Sequence, residues 1–557
     1  MTTYEGRLEL TWTNKDLRLL AHEDGSYEWL SPADYRVAEV RLLHDAATVG
    51  SVGRTRAADN LLIRGDALNA LTSLSRLPEF AAQYLGKVRL AYLDPPFNTE
   101  QSFLHYEDNL EHSVWLTMMR DRILQIKDLL SADGSVWVHC DDSEQAYLKV
   151  AMDELFGREN FIATIVYQSA DVPKSTARHL STDQDYLLVY ARNAERWRPN
   201  KLPRDDASNS RYKNPDHDSR GPWMPGPLTA TKPYSLGTYT IHGPEGGEFD
   251  PTQGTYWRFS EEKFRELDAD GRIYWGKNGK GRPLMKRYLS EVGELVPRTW
   301  WTYQEVGSTR NAKLEIKRLF PDLDPFDTPK PEKLLERIIH IGSDAGDIVL
   351  DCFAGSGTTA AVAQKMRRRW VTVEREAETL QRFARPRLEK VVAGDDPGGV
   401  TELTGWSGGG GFRVLEVAPS MFEADGGLVF LADWMTNGAL AEATAAQLGF
   451  VYEDEPPFSG RKGRTRLAVV DGIANESVVR ILHSALPDGE RVVVCGTGID
   501  TDARAVLREL RPGSTLRKIP AALLDEYRSA RQLSLLTADE AAAPSTNGAS
   551  AAVPVKA

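Results

Sequence analysis

Two consecutive prolines, Pro95 and Pro96, end an apolar run that reads Val88-Arg-Leu-Ala-Tyr-Leu. Proline has no amide hydrogen and a fixed φ, so a pair of prolines cannot continue a β-ladder and the chain must leave the sheet there. The turn leaves one carboxylate, Asp94, and one ring, Phe97, at the carboxyl end of a strand. Open α/β sheets hold their ligands at such ends. A second end of this kind lies far downstream, in Ile348-Val-Leu-Asp351-Cys-Phe353-Ala-Gly355-Ser-Gly357-Thr358-Thr359. The expectation is that the two ends build one site.

Around them, strand-like and helical patterns alternate. Asn60-Leu-Leu-Ile-Arg-Gly65-Asp66-Ala67 reads as a strand, a turn and a helix start. Asp66 is there equally readable as an N-cap, worth about 1 kcal/mol. Residues 113–130 have apolar residues at helical spacing, and strands are expected at 135–139, 161–167 and 186–190. Downstream, Lys330-Pro331 opens an amphipathic helix, and the strand Trp370-Val-Thr-Val ends at Glu374. The alternation predicts a mostly parallel, doubly wound α/β sheet.

Residues 1–58 read as an N-terminal extension without chemistry, and 59–195 and 326–393 as two halves of one domain. Between them, 196–325 is turn-rich, with Trp257, Tyr274, Trp275, Trp300, Trp301 and Tyr303 interleaved with Lys277, Lys280, Arg282, Lys286 and Arg287. Such a set can reach phosphates and bases, or can be the core of a small α+β domain. Residues 394–411 read as a glycine-rich linker and 412–530 as a separate small α/β domain, with Gly496-Thr-Gly498 as a turn. Residues 531–557 read as a disordered tail.

Charge and cysteines narrow the setting. The net charge of −12 argues against nucleic acid, but residues 201–320 carry 20 Lys and Arg against 16 Asp and Glu. The three cysteines, 140, 352 and 495, have neither metal-site nor disulfide spacing. With no membrane-length apolar run, a cytoplasmic protein without membrane contact or bound metal is expected.

The glycine turn lacks the third glycine of a dinucleotide fingerprint, since Ala360 stands there, and no Walker lysine follows it. Glu374, ending the next strand, is placed to accept ribose hydroxyls, and Asp351 suits a cationic ligand portion. An adenosine joined to an amino-acid tail points to S-adenosylmethionine as cofactor. At the other end, the Asp94 carboxylate and the Pro95 carbonyl can accept the hydrogens of an exocyclic amine. Phe97 offers a stacking face worth about 1–3 kcal/mol per base. A base so held must leave its duplex. Methylation at cytosine C5 is excluded, because it would need a cysteine nucleophile after proline and none of the three has one.

Asp94-Pro-Pro-Phe97 resembles the catalytic motif of amino-group DNA methyltransferases, and Asp351 to Thr359 resembles their cofactor motif. The order, catalytic motif first, is similar to the β class of adenine-N6 enzymes, and the resemblance runs from about Asn60 to Val392. Asp133-Gly-Ser-Val-Trp-Val, Glu144, Asp153-Glu-Leu-Phe-Gly157 and Glu159-Asn-Phe-Ile also carry it. Trp257-Arg-Phe-Ser, Gly271-Arg-Ile-Tyr and Arg287-Tyr-Leu resemble modification subunits of type III restriction systems. The resemblance implies a Rossmann-like methyltransferase sheet, with 196–325 as an inserted target-recognition domain. It implies catalytic roles for Asp94, Pro95, Pro96 and Phe97. Cofactor roles fall to Asp66 and Ala67 on the adenine side, to Lys330 and Pro331 at the helix lining the methionine side, and to Asp351, Phe353, Gly355, Gly357, Thr358 and Glu374. Asp at the first motif position leans to adenine N6, and Phe97 stands where Tyr is commoner. Double-stranded DNA is the implied substrate, and a restriction or helicase subunit, another defence component or a second copy of the chain the protein partner. Cytosine-N4 transfer, methylation of RNA or of protein glutamine, and a DNA-binding specificity subunit with vestigial transfer remain alternatives.

Overall fold

A computed structural model describes residues 9–22, 26–98, 101–102, 107–108, 111–175, 177–324 and 326–528. The expected disordered tail, 531–557, lies outside them. Ten strands form the main sheet: β1 (Leu43–Gly50), β2 (Asn60–Arg64), β3 (Val88–Leu93), β4 (Leu130–Cys140), β5 (Phe161–Gln168), β6 (Gln184–Ala191), β7 (Trp300–Trp301), β8 (Ile348–Asp351), β9 (Arg369–Glu374) and β10 (Gly411–Val417). Their spatial order is β7-β5-β6-β4-β3-β8-β9-β2-β10-β1. From β4 to β10 in that order the strands are parallel.

Parallel strands are covered on both faces and read as apolar runs. All four residues of β8 are buried, and in β3 only Arg89 is not. Alternate residues face opposite sides. Leu61, Ile63, Ala91, Leu93, Leu350 and Val373 join one core with helices α1 (Ala67–Arg76), α2 (His112–Leu129) and α3 (Gln145–Phe156). On the other side Leu90 meets Gly342, the last residue of α4 (Glu332–Gly342), where a Cβ would come within 3.0 Å of the Leu90 side chain. Helices α4, α5 (Thr358–Lys365) and α6 (Arg385–Ala393) pack on one another. The sheet is therefore doubly wound.

Several expected boundaries are corrected. The N-terminal extension does more than pack on the main domain: its strand β1 is the edge of the main sheet, paired antiparallel to β10. The boundary at 412 fails because β10, spanning it, lies in the main sheet between β2 and β1. The chain after β10 is not a separate domain either. Helix Asn437–Leu448 adds Leu440, Ala443 and Ala446 to the main core, and the Gln447 amide bonds the Val40 backbone on both sides, at 3.0 and 2.6 Å. Beyond it lies a five-stranded sheet within 451–518, in which Gly496-Thr-Gly498 is part of strand Arg491–Ile499 rather than a turn.

One segment does separate. Residues Asn200–Pro297 form a compact unit of their own, narrower than the expected 196–325. The flanking Trp300–Trp301 is instead strand β7, and buried Trp301 stacks on Trp137 at 6.2 Å, so it is a core residue and not a base-reading one. Inside the small unit, Trp257, Phe264, Leu228, Ile241 and Ile273 make the core, with Trp275 against it. Lys286 is likewise taken out of the exposed basic set, being buried in ion pairs with Asp216 and Asp218. Lys277, Lys280, Arg282 and Arg287 stay exposed.

The expected linker is anchored by buried charge. Glu332, 1% exposed, accepts from Lys365 at 2.9 and 2.8 Å, from Arg387 at 2.8 Å and from the Val400 amide at 2.9 Å. Lys365 also donates to Asp396 at 2.6 Å. One carboxylate thus ties α4, α5, α6 and the 394–410 segment together. Glu332→Ala would leave two buried cations short of a partner, and breaking a buried pair costs about 3–5 kcal/mol. Urea unfolding of that variant should show a loss of this size; a loss near that of an exposed pair, under about 1 kcal/mol, would mean the cluster does not hold the segment.

Candidate active site

The topology puts four acidic strand ends on one rim. Asp94 follows β3, Asp351 ends β8, Glu374 ends β9, and Asp66 follows β2 by way of Gly65; the four strands are consecutive and parallel. A cavity of about 1050 Å³ opens there.

Asp94, Pro95, Pro96 and Phe97 line it together. The turn is pinned from behind: the buried indole of Trp115 donates to the Pro96 carbonyl at 2.7 Å. Asn98 takes a left-handed conformation, φ 60°, and donates to Glu144 at 2.7 Å. Glu144 also takes His112 at 2.8 Å. Phe97 lies against the buried His139 ring, with centroids 5.4 Å apart. His139 in turn bridges the Tyr92 hydroxyl at 2.9 Å and the Asp185 carboxylate at 3.2 Å. Trp115 and His139 were missed as supporting residues, and Glu144 was named only as part of the resemblance, without this role. The available signals were a lone histidine ending the strand Val-Trp-Val-His139 and an indole in a buried helix, which needs an acceptor.

On the other half, Asp351 accepts the Phe353 amide at 2.9 Å. Glu374 closes the glycine turn, its two oxygens accepting the Gly355 amide and the Glu376 amide, each at 2.8 Å. Each oxygen keeps a further lone pair for a ligand hydroxyl. Burial pushes both carboxyls up to about 7, and the nearby Asp94 charge adds to the rise at Asp351. Asp66 caps α1 at the Leu68 amide, 2.7 Å, and takes the Arg122 guanidinium at 3.0 and 3.1 Å, so it is a cap that also lines the cavity. Ala67, Phe353, Gly355 and Thr358 line it too.

Three expected cofactor residues sit differently. Gly357 is not among the residues lining the cavity; with φ 75°, it starts α5 where a Cβ would come 3.1 Å from the Ala384 backbone, so it serves helix packing. Pro331 is the N-cap residue of α4 and also lies off the cavity. Lys330 does line it, but its ammonium is on Asp94, at 2.7 and 2.8 Å from the two carboxylate oxygens.

The site is thus built on a doubly wound sheet, with buried carboxylates ending β8 and β9 and the Asp94-Pro-Pro-Phe97 turn at the end of β3 beside them. The chain belongs to the N6_N4_Mtase family of DNA methylases, whose profile matches residues 88–385. It is similar to the probable type III restriction-modification enzyme HindVI Mod subunit of Haemophilus influenzae, at 32% identity over 415 residues, 65% of this chain and 54% of the relative. The StyLTI Mod subunit of Salmonella typhimurium is 31% identical over 342 residues, 56% of this chain and 50% of that one. The type II methyltransferase M.EcaI of Enterobacter cloacae is 30% identical over 311 residues, 54% and 65%. The chain spans about half to two thirds of the length of these relatives.

The two raised carboxyls make a stability prediction. A carboxyl ordinary in the unfolded chain, near 4, and raised to about 7 in the fold binds its proton more tightly when folded. Its contribution is present below about pH 4 and is lost as pH rises to about 7. The ligand-free protein should therefore lose stability between pH 5 and 7.5 less steeply in the Asp351→Asn, Glu374→Gln double variant than in the wild type. Parallel melting-temperature profiles would place the ionisation elsewhere.

Proposed function

We propose that this chain is a site-specific DNA methyltransferase that uses S-adenosylmethionine to methylate N6 of an adenine turned out of its duplex. In this reading it acts in the cytoplasm as a modification component of a restriction-modification or related defence system. The observation that carries it is the pairing of β3 with β8, which sets Asp94 and Phe97 beside Asp351 in one cavity.

The donor set fits the cofactor. Asp351 offers a carboxylate to an ammonium, Glu374 offers oxygen acceptors to a ribose, and Asp66-Ala67 lies on the adenine side. When bound, S-adenosylmethionine supplies an electrophilic methyl group on sulfur. The chain's own share is positioning. The Asp94 carboxylate and the Pro95 carbonyl accept the amine hydrogens and turn the nitrogen lone pair out of conjugation. Phe97 stacks the base, and Trp115, Asn98 and Glu144 hold the turn in place. Asp94 at the head of the motif favours adenine N6, with cytosine N4 open to the same chemistry. The Mod names of two relatives support the defence role and a restriction subunit as partner. The separate unit 200–297, with exposed Lys277, Lys280 and Arg282, is the part we assign to target recognition.

Single-molecule sequencing of DNA from cells expressing the chain tests the reading, with N6-methyladenine at one recurring sequence expected and an unmodified genome overturning it. Asp94→Ala should lower methyl transfer by at least about a thousandfold while calorimetric affinity for S-adenosylmethionine stays within about threefold. Retained transfer would move the catalytic end. Replacing Lys277, Lys280 and Arg282 together should flatten the salt dependence of DNA binding by about 0.9 in log–log slope for each charge that meets a phosphate. An unaltered slope would take DNA off this surface.

A further inference from the structure

The ion pair between Lys330 and Asp94 does not fit the chemistry just derived, and that misfit carries information. Asp94 must accept hydrogens from the target amine, yet both its oxygens hold the Lys330 ammonium, at 2.7 and 2.8 Å. Phe97 must stack the base, yet the same ammonium lies over its ring, 4.8 Å from the centroid. A nitrogen donor bonded to Asp94 and set on the face of Phe97 is the arrangement expected of the substrate. We propose that Lys330 is an internal stand-in for the target amine, holding Asp94 and covering Phe97 until an extrahelical base displaces it. This rests on the function proposed above.

Exclusion comes from space and from charge. Ammonium and amine nitrogen would compete for the Asp94 carboxylate, and each needs to lie within hydrogen-bonding distance of it. Methyl transfer also makes the accepting nitrogen cationic before it sheds its proton, so an ammonium left beside it would oppose the reaction. The stand-in therefore has to leave.

The local backbone makes this a side-chain movement. Lys330 lies between Pro329 and Pro331, and a residue before proline is restricted to extended conformations. Pro331 is itself extended, φ −68° and ψ 141°, and leads straight into α4. That helix is fixed by the buried Glu332 cluster, so the anchor of Lys330 stays put while its flexible four-carbon stem rotates. Asp185 lines the same cavity and feels the Lys330 charge, so its carboxylate can receive the ammonium while the cofactor holds Asp351. With 9% of its surface exposed, Lys330 is shielded from bulk water in the resting arrangement. The pair thus keeps a catalytic carboxylate neutralised and an aromatic face covered when no base is present.

The test needs no recognition sequence. With the cofactor site saturated by sinefungin, which has no methyl group to transfer, adenosine is titrated into the wild type, Lys330→Met and Lys330→Arg by calorimetry. An occupant present about nine-tenths of the time weakens apparent affinity about tenfold, so Lys330→Met should bind adenosine about tenfold tighter than the wild type. Lys330→Arg keeps the charge and should bind like the wild type. Equal or weaker binding by Lys330→Met overturns the proposal. Should that variant fail to fold, the wild type crystallised with sinefungin and adenosine decides. A base on Phe97 with Lys330 withdrawn from Asp94 supports the stand-in. A base there with the ion pair intact, or a base bound only elsewhere, overturns it. Failure of the underlying function is read separately, as absence of labelled methyl transfer from S-adenosylmethionine to DNA by the wild-type chain.

Discussion

The parallel pairing of β3 with β8 is the constraint on which the rest depends. A parallel pair cannot be closed by a hairpin; it needs a crossover, and the crossover here runs through residues 94–347. Everything in that interval, including the compact unit at 200–297, is carried between two neighbouring strands. Side-by-side pairing gives Asp94 and Asp351 a common rim, and the next two strands add Glu374 and Asp66 to it. No loop has to bend to bring them together. Hydrogen bonding along the ladder does so, and loops such as Pro95 to Asn98 only trim the geometry.

Charge plays two different parts around that rim. Behind α4, Glu332 is satisfied by two cations and an amide, which makes it a structural tie. At the rim, Asp351 and Glu374 have backbone donors but, among the described residues, no cation at hydrogen-bond distance, and burial holds their protons on near neutrality. Buried acids of this kind are poised for a ligand that carries its own positive charge and hydroxyls. Asp94 stands between the two cases, paired to a lysine that has somewhere else to go.

Most of the sheet and the two halves of the site were legible in the sequence because parallel strands advertise themselves as apolar runs, and because Asp-Pro-Pro-Phe and Asp-x-Phe-x-Gly-x-Gly stop those runs with unusual residues. The domain edges were not legible. Gly411 to Val417 follows a glycine-rich stretch and looks like the start of something new, yet its partners are Asn60–Arg64 and Leu43–Gly50, hundreds of residues away. Long-range register leaves no local trace. Trp301 and Lys286 were left between two readings for a related reason: an aromatic or a lysine has the same letter whether it faces solvent or fills a core. Gly357 was legible as a required glycine, and a requirement the sequence could not display comes from the Ala384 backbone packed against it.

The placement of β10 has a consequence for how the chain comes off the ribosome. Strands β3, β4, β5 and β6 neighbour one another and are complete by residue 191, so they can pair early. Strands β1 and β2, made first, find their sheet neighbours only in β9 and β10. They must wait through about 300 further residues, at synthesis rates of roughly 5–20 residues per second. These two strands are thus without their sheet neighbours for tens of seconds, longer than any other part of the sheet. Leu61, Leu62 and Ile63, fully buried in the finished sheet, are the residues left without cover over that interval.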